Sequence, residues 1–394
     1  MAVREIEAVD INYIPDWKKW PTTADIDFTE ILRRRYSSTY QFGDLTLKIN
    51  YRHYPPHIAY TRIGEHLRLP NFDQWTIDNT KPPIQAVLNQ MVEDLNELGK
   101  ECDLIAWHHG YQCFPYVTKH LPDLFKLRIL LFSDDCPGSS EVKTFPVAKH
   151  FNALLHNMYV RDYNTGVRTA DVYKELGVPY CHLSSWGQSD NLTTYLAEHK
   201  FSIEEKAEQI RQGSSEYNGL LFIGCDGQMN RARYNFLCDL NRQADKVAAQ
   251  IEMPVMLHGK GMRNGILEPR QPPAITGYTI APYYMNALFG VNYAISSIFN
   301  ARFFNLGAAG VVQLIYDKNK ELSDFGLEDY IHYVPFNGTI PGMIQAIKGI
   351  KHDKEKLGAI IIAAHQKMGE LLSKYSCGAA YQETIKDHLH LFNQ

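Results

Sequence analysis

The fold is decided by residues 219–259, which read GLLFIGCDGQMNRARYNFLCDLNRQADKVAAQIEMPVMLHG. An apolar run that ends in glycine, 219–224, precedes an amphipathic segment, 231–248. A second apolar run that ends in glycine, 254–259, follows it. Short apolar runs predict buried strands, and apolar residues at helical spacing predict the helix between them. The stretch therefore predicts a strand–helix–strand unit whose two strands lie parallel in one sheet.

The same alternation extends in both directions from this stretch. Further strands are predicted at 45–49, 103–109, 128–132, 154–160, 292–296, 311–316 and 331–335. Helices are predicted at 84–98, 169–176, 285–289, 301–306, 342–348 and 354–375. Residues 1–40 look irregular. Strands of about five residues that alternate with helices are typical of parallel α/β sheets.

A polar segment, 190–217, separates two such alternating runs and predicts a domain boundary. We therefore expect an α/β protein of two doubly wound, Rossmann-like domains that face a cleft. The first, 1–200, carries the irregular N-terminal segment, and the second spans 215–350. The last helices, 351–394, are expected to cross back to the first domain.

Composition excludes several classes of protein. With 45% hydrophobic and 21% charged residues among 394, the chain is neither disordered nor a coiled coil. The net charge of −4 lacks the basic excess of a dedicated nucleic-acid binder. Seven scattered cysteines without a C-x-x-C pair indicate reduced thiols rather than disulfides or a zinc site. Without an apolar run of ~18 residues or a signal sequence, we expect a cytoplasmic protein that does not span a membrane.

Glycines and basic residues follow the strands of the second half. Gly224 ends the first strand, and Arg231 and Arg233 open the next helix. Gly259 follows the second strand, between His258 and Lys260. Glycines let backbone amides approach a ligand, helix N-termini attract anions, and guanidinium groups suit phosphate. The alternative is a pair of tight turns with surface cations, because neither G-x-G-x-x-G nor a Walker loop is present.

A third feature is residues 300–310, NARFFNLGAAG. The small residues 307–310 allow a helix to pack closely against a sheet. Close packing alone, without a ligand, would also explain them. If the N-terminal turn of this helix faces the ligand, Arg302 contributes positive charge and Asn305 can hydrogen-bond a sugar hydroxyl.

The order of these features resembles the C-terminal domain of the CgeB-type (spore-coat maturation) branch of group 1 glycosyltransferases. That family places an Arg at a helix start after a strand and Gly, as at Gly224 and Arg231, and has a second strand that ends in Gly. It then shows N-x-R-x-F-E-x-x-a-x-G, matched by 300–310, and a segment matched by 322–334, LSDFGLEDYIHYV. Residues 127–187 are similar to its N-terminal domain. The resemblance covers about 60% of the chain and departs at Asn305, where the family usually has an acidic residue.

The resemblance implies a GT-B fold and transfer of a sugar from a nucleoside-diphosphate sugar, with no obligatory metal or other cofactor. The donor would be held in the C-terminal domain by Gly224, Arg231, Arg233, His258, Gly259, Lys260, Arg302 and Asn305. The acceptor, held by the N-terminal domain, is expected to be a saccharide, a protein side chain or a hydroxymethylated base of phage DNA.

If the transfer inverts the anomeric centre, a base must accept the proton of the acceptor hydroxyl. The ends of the N-terminal strands offer four candidates: His108, His109, Asp134 and Asp135. Helix capping and ordinary core hydrogen bonds are the competing roles of such residues. Two other functions stay open, a nucleotide-sugar epimerase and a binding protein without catalytic activity. The D-x-D sequence at 25–27 and the pairs His53/His57 and His388/His390 lack the pattern of a metal site.

Overall fold

The protein is described by a computed structural model. It describes residues 2–11, 35–54, 82–108, 115–132, 145–157, 167, 171, 174–175, 177, 181–184, 190–224, 231–259, 273–293, 299–318 and 321–392. The chain forms two compact units. Unit 1 comprises Met1–Tyr159, Val167–Ser184 and Gly378–Gln394, and unit 2 comprises Val160–Gly166 and Ser185–Cys377.

Unit 1 contains a seven-stranded sheet in the order β2-β3-β1-β4-β5-β6-β7. Its strands are β1 (Ala2–Ile11), β2 (Arg35–Phe42), β3 (Leu45–Tyr54), β4 (Leu104–His108), β5 (Leu127–Phe132), β6 (Ala153–Asn157) and β7 (Cys181–Ser184). Only β2 is antiparallel to its neighbour, and Gly43, with φ of +56°, starts the turn between β2 and β3. All other paired strands of this sheet are parallel.

Four helices with described bounds precede β7 in unit 1, one long helix and three single turns, and residues 171 and 174–175 are also helical. The four are α1 (Pro82–Glu101), α2 (Pro115–Thr118), α3 (Leu121–Leu124) and α4 (Phe145–Ala148). The apolar face of α1, represented by Leu88 and Leu95, packs in one core cluster with Val9 of β1 and Trp107 of β4. The helix predicted at 84–98 is thereby confirmed.

The expectation of an irregular N-terminal segment was wrong for the part of it that the structure describes. Residues 2–11 form β1, an interior strand that pairs with both β3 and β4. The charged residues Glu5 and Glu7 obscured its strand pattern, because their side chains are at least partly exposed and have partners on β3. Lys48 Nζ lies 3.1 Å from Glu5, and Asn50 donates a hydrogen bond to Glu7 at 3.1 Å.

Unit 2 contains a five-stranded, fully parallel sheet in the order β12-β11-β10-β8-β9. The strands are β8 (Leu220–Ile223), β9 (Val255–His258), β10 (Phe289–Tyr293), β11 (Val312–Tyr316) and β12 (Val334–Pro335). After β9 the chain crosses to the other side of β8, so the strand order reverses between β8 and β10. Doubly wound sheets bind ligands at this reversal, beyond the carboxyl ends of the strands.

Eight α-helices among the described residues of unit 2 accompany this sheet. They are α5 (Asp190–Glu198), α6 (Ile203–Arg211), α7 (Arg231–Arg242), α8 (Ala244–Ile251), α9 (Pro273–Asn286), α10 (Ala301–Ala308), α11 (Ile340–Ile350) and α12 (Lys354–Tyr375). The strands predicted at 219–224, 254–259 and 311–316 are confirmed. The predicted helix at 285–289 was wrong beyond Asn286, where α9 ends, because β10 begins at Phe289. β10 includes 292–293 of the strand predicted at 292–296, and residues 294–296 lie outside the described residues.

Two 3-10 helices, Glu321–Phe325 and Leu389–Phe392, and α13 (Cys377–Asp387) complete the described elements. From Gly378 onward the chain belongs to unit 1. None of the described helices has the length and apolar character needed to cross a bilayer.

A buried lysine binds the C-terminal ends of two helices of unit 2. Lys206 of α6 is fully buried, and its Nζ donates hydrogen bonds to the carbonyl oxygens of Met285, Ala287 and Ala309 at 2.8, 3.0 and 2.8 Å. These carbonyls lie at the C-terminal ends of α9 and α10, where helix dipoles favour a cation. Burial lowers the pKa of Lys206 to about 7, whereas the three acceptors favour the ammonium form.

Replacing Lys206 tests this contact. Lys206→Met keeps the length of the side chain but leaves three carbonyl oxygens without their donor. We expect the free energy of unfolding to fall by about 3 kcal/mol. Urea denaturation followed by circular dichroism measures this loss. Lys246→Met, at an exposed position of α8, is the matched control and is expected to change stability by no more than ~0.5 kcal/mol. Equal stabilities of the two variants would contradict the assignment.

Candidate functional site

Two glycines bring the carboxyl ends of β8 and β9 into contact. The amide of Gly224 donates a 2.9 Å hydrogen bond to the carbonyl oxygen of His258. A Cβ atom placed on Gly259 would overlap the carbonyl oxygen of Gly224. The φ angles of Gly224 and Gly259, +155° and +141°, are also ones that residues with a side chain rarely adopt. Glycine is therefore required at both strand ends.

The space left by Gly224 is filled by Arg302 from the first turn of α10. The Nε of Arg302 donates a 2.7 Å hydrogen bond to the carbonyl oxygen of Ile223. Its Cζ lies 4.5 Å from the ring centroid of Phe222. A Cβ on Gly224 would overlap Nη2 of Arg302. The guanidinium group is thus held against the end of the strand at which the sheet order reverses.

A second guanidinium group approaches the same ring. Arg233, in the first turn of α7, is only 4% exposed, and its Cζ lies 5.8 Å from the Phe222 centroid. Arg231, at the start of the same helix, is exposed. Two guanidinium groups therefore approach one apolar ring at this strand end. Guanidinium groups and helix N-termini are both features that suit a phosphate-containing anion.

Buried amide side chains fix the start of α10. Asn300 is the N-cap, and its side chain accepts a 3.2 Å hydrogen bond from the amide of Phe303. Asn300 also donates to Asn292 of β10 at 3.3 Å. Gln313 of β11 donates to the carbonyl oxygen of Phe303 at 2.9 Å. These hydrogen bonds fix the first turn of α10. They thereby set the position from which the Arg302 side chain extends, two residues after the cap.

The side chain of Asn305 faces α9. Asn305 is 6% exposed and forms a hydrogen bond with the hydroxyl of Tyr284. Burial raises the pKa of Tyr284, while the charge of Arg302 and the bond with Asn305 oppose that rise. The residue predicted to contact a sugar hydroxyl therefore already has a protein partner in this structure.

His258 is buried at the end of β9. It is 4% exposed, its ring centroid lies 4.3 Å from that of Tyr283, and burial lowers its pKa. The imidazole is accordingly neutral at pH 7. Neither ring nitrogen has a hydrogen-bond partner among the described residues. Buried polar atoms without partners are rare in proteins, which is consistent with a ligand-binding role next to Gly259.

The structure brings together several of the residues predicted from the sequence. Gly224, Gly259 and Arg302 are in direct contact with one another or with the same strand end, and Arg233 joins them at Phe222. Lys260, His109, Asp134 and Asp135 lie outside the described residues. His108 is the last residue of β4, and the two aspartates follow β5.

Sequence reasoning missed Phe222, Asn292 and Gln313. An aromatic residue two positions before a glycine at a strand end is the signal that could have identified Phe222. No group of three metal-ligating side chains occurs within the described part of the chain. The rings of His388 and His390 lie 6.1 Å apart. The D-x-D residues 25–27 and His57 fall outside the described ranges.

A separate cavity of ≈ 870 Å³ lies between α7, α8 and α11. Phe236, Tyr293 and Thr339 line it, whereas Gly224 and Arg302 are not among its described lining residues. The site of Gly224, Gly259 and Arg302 is therefore distinct from this cavity, and it lies at the ends of the strands.

Comparison with solved structures identifies the fold. A UDP-forming α,α-trehalose-phosphate synthase from Burkholderia xenovorans is similar with a TM-score of 0.54 and 8% identity, over 99% of this chain and 100% of that one. A second structure of such a synthase from the same species, in complex with glucose-6-phosphate, gives 0.51 and 10% over 98% and 100%. An E. coli structure named trehalose-6-phosphate, bound with UDP-2-fluoro glucose, gives 0.51 and 9% over 99% of each chain.

No protein-family model matches the chain, and no curated protein matches it. The structural similarity is at 8–10% identity, so it establishes the fold alone. The chain has a glycosyltransferase-like GT-B fold with two parallel-sheet α/β domains, as predicted from the sequence. Its relation to the CgeB-type branch stays a prediction.

The two glycines differ in what a methyl group would meet, and this difference is testable. In Gly224→Ala the methyl group meets the end of the flexible Arg302 side chain, which can move away. In Gly259→Ala it meets the backbone of Gly224, which cannot move without disturbing the sheet. Both variants also carry strain of order 1–3 kcal/mol from their φ angles.

We expect Gly259→Ala to be the less stable of the two by ~1 kcal/mol or more. We expect Gly224→Ala to displace the Arg302 side chain more than Gly259→Ala does. Thermal unfolding measures the first difference. Gly349→Ala, at a helical position where a Cβ meets no neighbouring atom, is the control and is expected to be neutral or slightly stabilising. A Gly259→Ala variant as stable as the wild type would show that the two strand ends are not in contact.

Proposed function

We propose that the protein is a glycosyltransferase that uses a nucleoside-diphosphate sugar as donor. The observation that carries this proposal is the placement of Arg302 beside Gly224 and of Arg233 over the ring of Phe222, at the reversal of strand order in the second sheet. Doubly wound sheets bind nucleotides there, and the GT-B fold supports the same class of ligand. The donor pyrophosphate would lie against the two guanidinium groups and the N-termini of α7 and α10.

Transfer requires the anomeric carbon to lose its bond to the β-phosphate oxygen and to form one with an acceptor oxygen. The nucleoside diphosphate leaves with the electron pair, so negative charge grows on it as the bond breaks. Arg302 and Arg233 are already positioned by Phe222 and Ile223, and they would stabilise that charge without a metal ion. Arg231, His258, Gly259, Lys260 and Asn305 complete the proposed donor site.

The acceptor would bind at the carboxyl edge of the first sheet, in the N-terminal domain. Its hydroxyl must give up a proton as the new bond forms. His108 is the last residue of β4 and His109 follows it, while Asp134 and Asp135 come after the neighbouring strand β5. We propose that one of them is the base. A saccharide, a protein side chain and a hydroxymethylated base of phage DNA are the proposed acceptors, and the cytoplasm the proposed location.

A ligand panel tests the donor site. Uridine, adenosine, guanosine and thymidine diphosphates and their glucose conjugates are added singly, and the melting temperature is measured for the wild type. A ligand at 100 times its Kd stabilises the protein by about 2.7 kcal/mol, which raises the melting temperature by several degrees. We expect one nucleotide series to do so and the others to have no effect.

The matched variants are Arg302→Ala and Arg242→Ala. Arg242 is an exposed arginine at the end of α7 and lies outside the proposed site. Arg302→Ala is expected to abolish the shift and Arg242→Ala to retain it. A wild type that none of the nucleotides stabilises, or an Arg302→Ala variant with the full shift, would refute the proposed donor site.

Product analysis then separates the three functions. Release of the nucleoside diphosphate that depends on an added acceptor supports transfer. Isomerised nucleotide sugar without any acceptor would identify an epimerase. Binding without turnover for saccharide, peptide and hydroxymethylated DNA acceptors would identify a binding protein.

A further inference from the structure

We propose that Phe222 is a positioning residue, which holds the guanidinium groups of Arg302 and Arg233 at the spacing that a pyrophosphate requires. This inference rests on the proposed function, because it assumes that the end of β8 binds the donor diphosphate. It adds one requirement to the proposed donor site. The apolar ring of Phe222, which does not contact the ligand, sets the preference for pyrophosphate over monophosphate.

The first support is the position of the ring. Phe222 is fully buried in β8, two residues before Gly224, and both arginine Cζ atoms lie over its ring, at 4.5 and 5.8 Å from the centroid. The face of an aromatic ring carries partial negative charge and attracts a guanidinium group, most strongly where water is excluded. With Arg233 only 4% exposed, this condition is met.

The second support is that the two arginines come from different helices. Arg302 reaches the ring from α10, and Arg233 reaches it from α7. The Arg302 guanidinium also donates to the carbonyl oxygen of Ile223, the residue that follows Phe222. Two like charges repel each other, and the negative face of the Phe222 ring attracts both guanidinium groups. Within the described residues, Phe222 is the group whose ring both guanidinium groups approach.

The third support is that an aliphatic residue at position 222 would not attract the two guanidinium groups. Leucine would fill much of the same buried volume and keep the sheet core intact. It has no π face, so both guanidinium groups would lose their attraction to this point. Binding of a monophosphate, which engages one guanidinium group, should then change little, and binding of a pyrophosphate should weaken.

The experiment compares two buried phenylalanines of the same sheet. Phe222→Leu removes the ring between the arginines, and Phe289→Leu removes a fully buried ring of β10 from the same hydrophobic core. Affinities for inorganic pyrophosphate and inorganic phosphate are measured by isothermal titration calorimetry, at a temperature well below the melting point of each variant.

We expect Phe222→Leu to bind pyrophosphate about tenfold more weakly than the wild type, with the affinity for phosphate changed less than threefold. Phe289→Leu is expected to lose comparable thermal stability while keeping both affinities. Equal losses of pyrophosphate affinity in the two variants would overturn the proposal, because a general loosening of the core would then account for the effect.

A near-isosteric substitution keeps the proposal testable if Phe222→Leu does not fold. Incorporation of 3,4,5-trifluorophenylalanine at position 222 weakens the negative face of the ring with little change of shape. The pyrophosphate affinity is expected to fall with this residue at 222 and to stay constant with it at 289. Unchanged affinity at 222 would overturn the positioning role. A wild type that binds no pyrophosphate would instead refute the donor site itself.

Discussion

The close approach of backbone and guanidinium group at the end of β8 is the constraint on which the rest of the second unit depends. Arg302 occupies the volume that a side chain at position 224 would need, and Gly224 in turn occupies the volume that a side chain at 259 would need. Three chain segments distant in sequence thereby meet at one point. A helix start can lie this close to two strand ends only if the helix itself is fixed, and that requirement explains two further features of the unit.

One of these two features lies at the start of α10, and the other lies at its end. At its start, Asn300, Asn292 and Gln313 form hydrogen bonds that set the position of the first turn. At its end, Lys206 binds the carbonyl oxygen of Ala309 together with those of Met285 and Ala287 beyond it. Burying an ammonium group is costly, and three carbonyl acceptors at two helix ends offset much of that cost. Polar contacts outside the site therefore hold both ends of the helix that carries Arg302.

The parts of this architecture that local sequence determines could be predicted. The strands of residues 219–224 and 254–259 are short apolar runs with glycine at the end, and the glycines and Arg302 followed from the same pattern. What depends on distant partners could not be predicted. The strand of residues 2–11 carries Glu5 and Glu7, whose partners Lys48 and Asn50 lie on β3, so its pattern was not recognisable locally. Phe222 looked like any core residue of a strand, because its relation to Arg233 and Arg302 arises only when α7 and α10 pack beside it.

The neutral side chain at position 305 follows from the same charge distribution. The resemblance to group 1 glycosyltransferases places an acidic residue there, whereas this chain has an amide that bonds to Tyr284. The Tyr284 hydroxyl is itself within the electrostatic influence of Arg302. A buried carboxylate at 305 would need a cation to offset its desolvation, and the nearby guanidinium group of Arg302 would supply it. Part of the positive charge at the end of β8 would then be neutralised. With asparagine at 305, hydrogen bonding to Tyr284 links α9 and α10 and adds no negative charge beside Arg302.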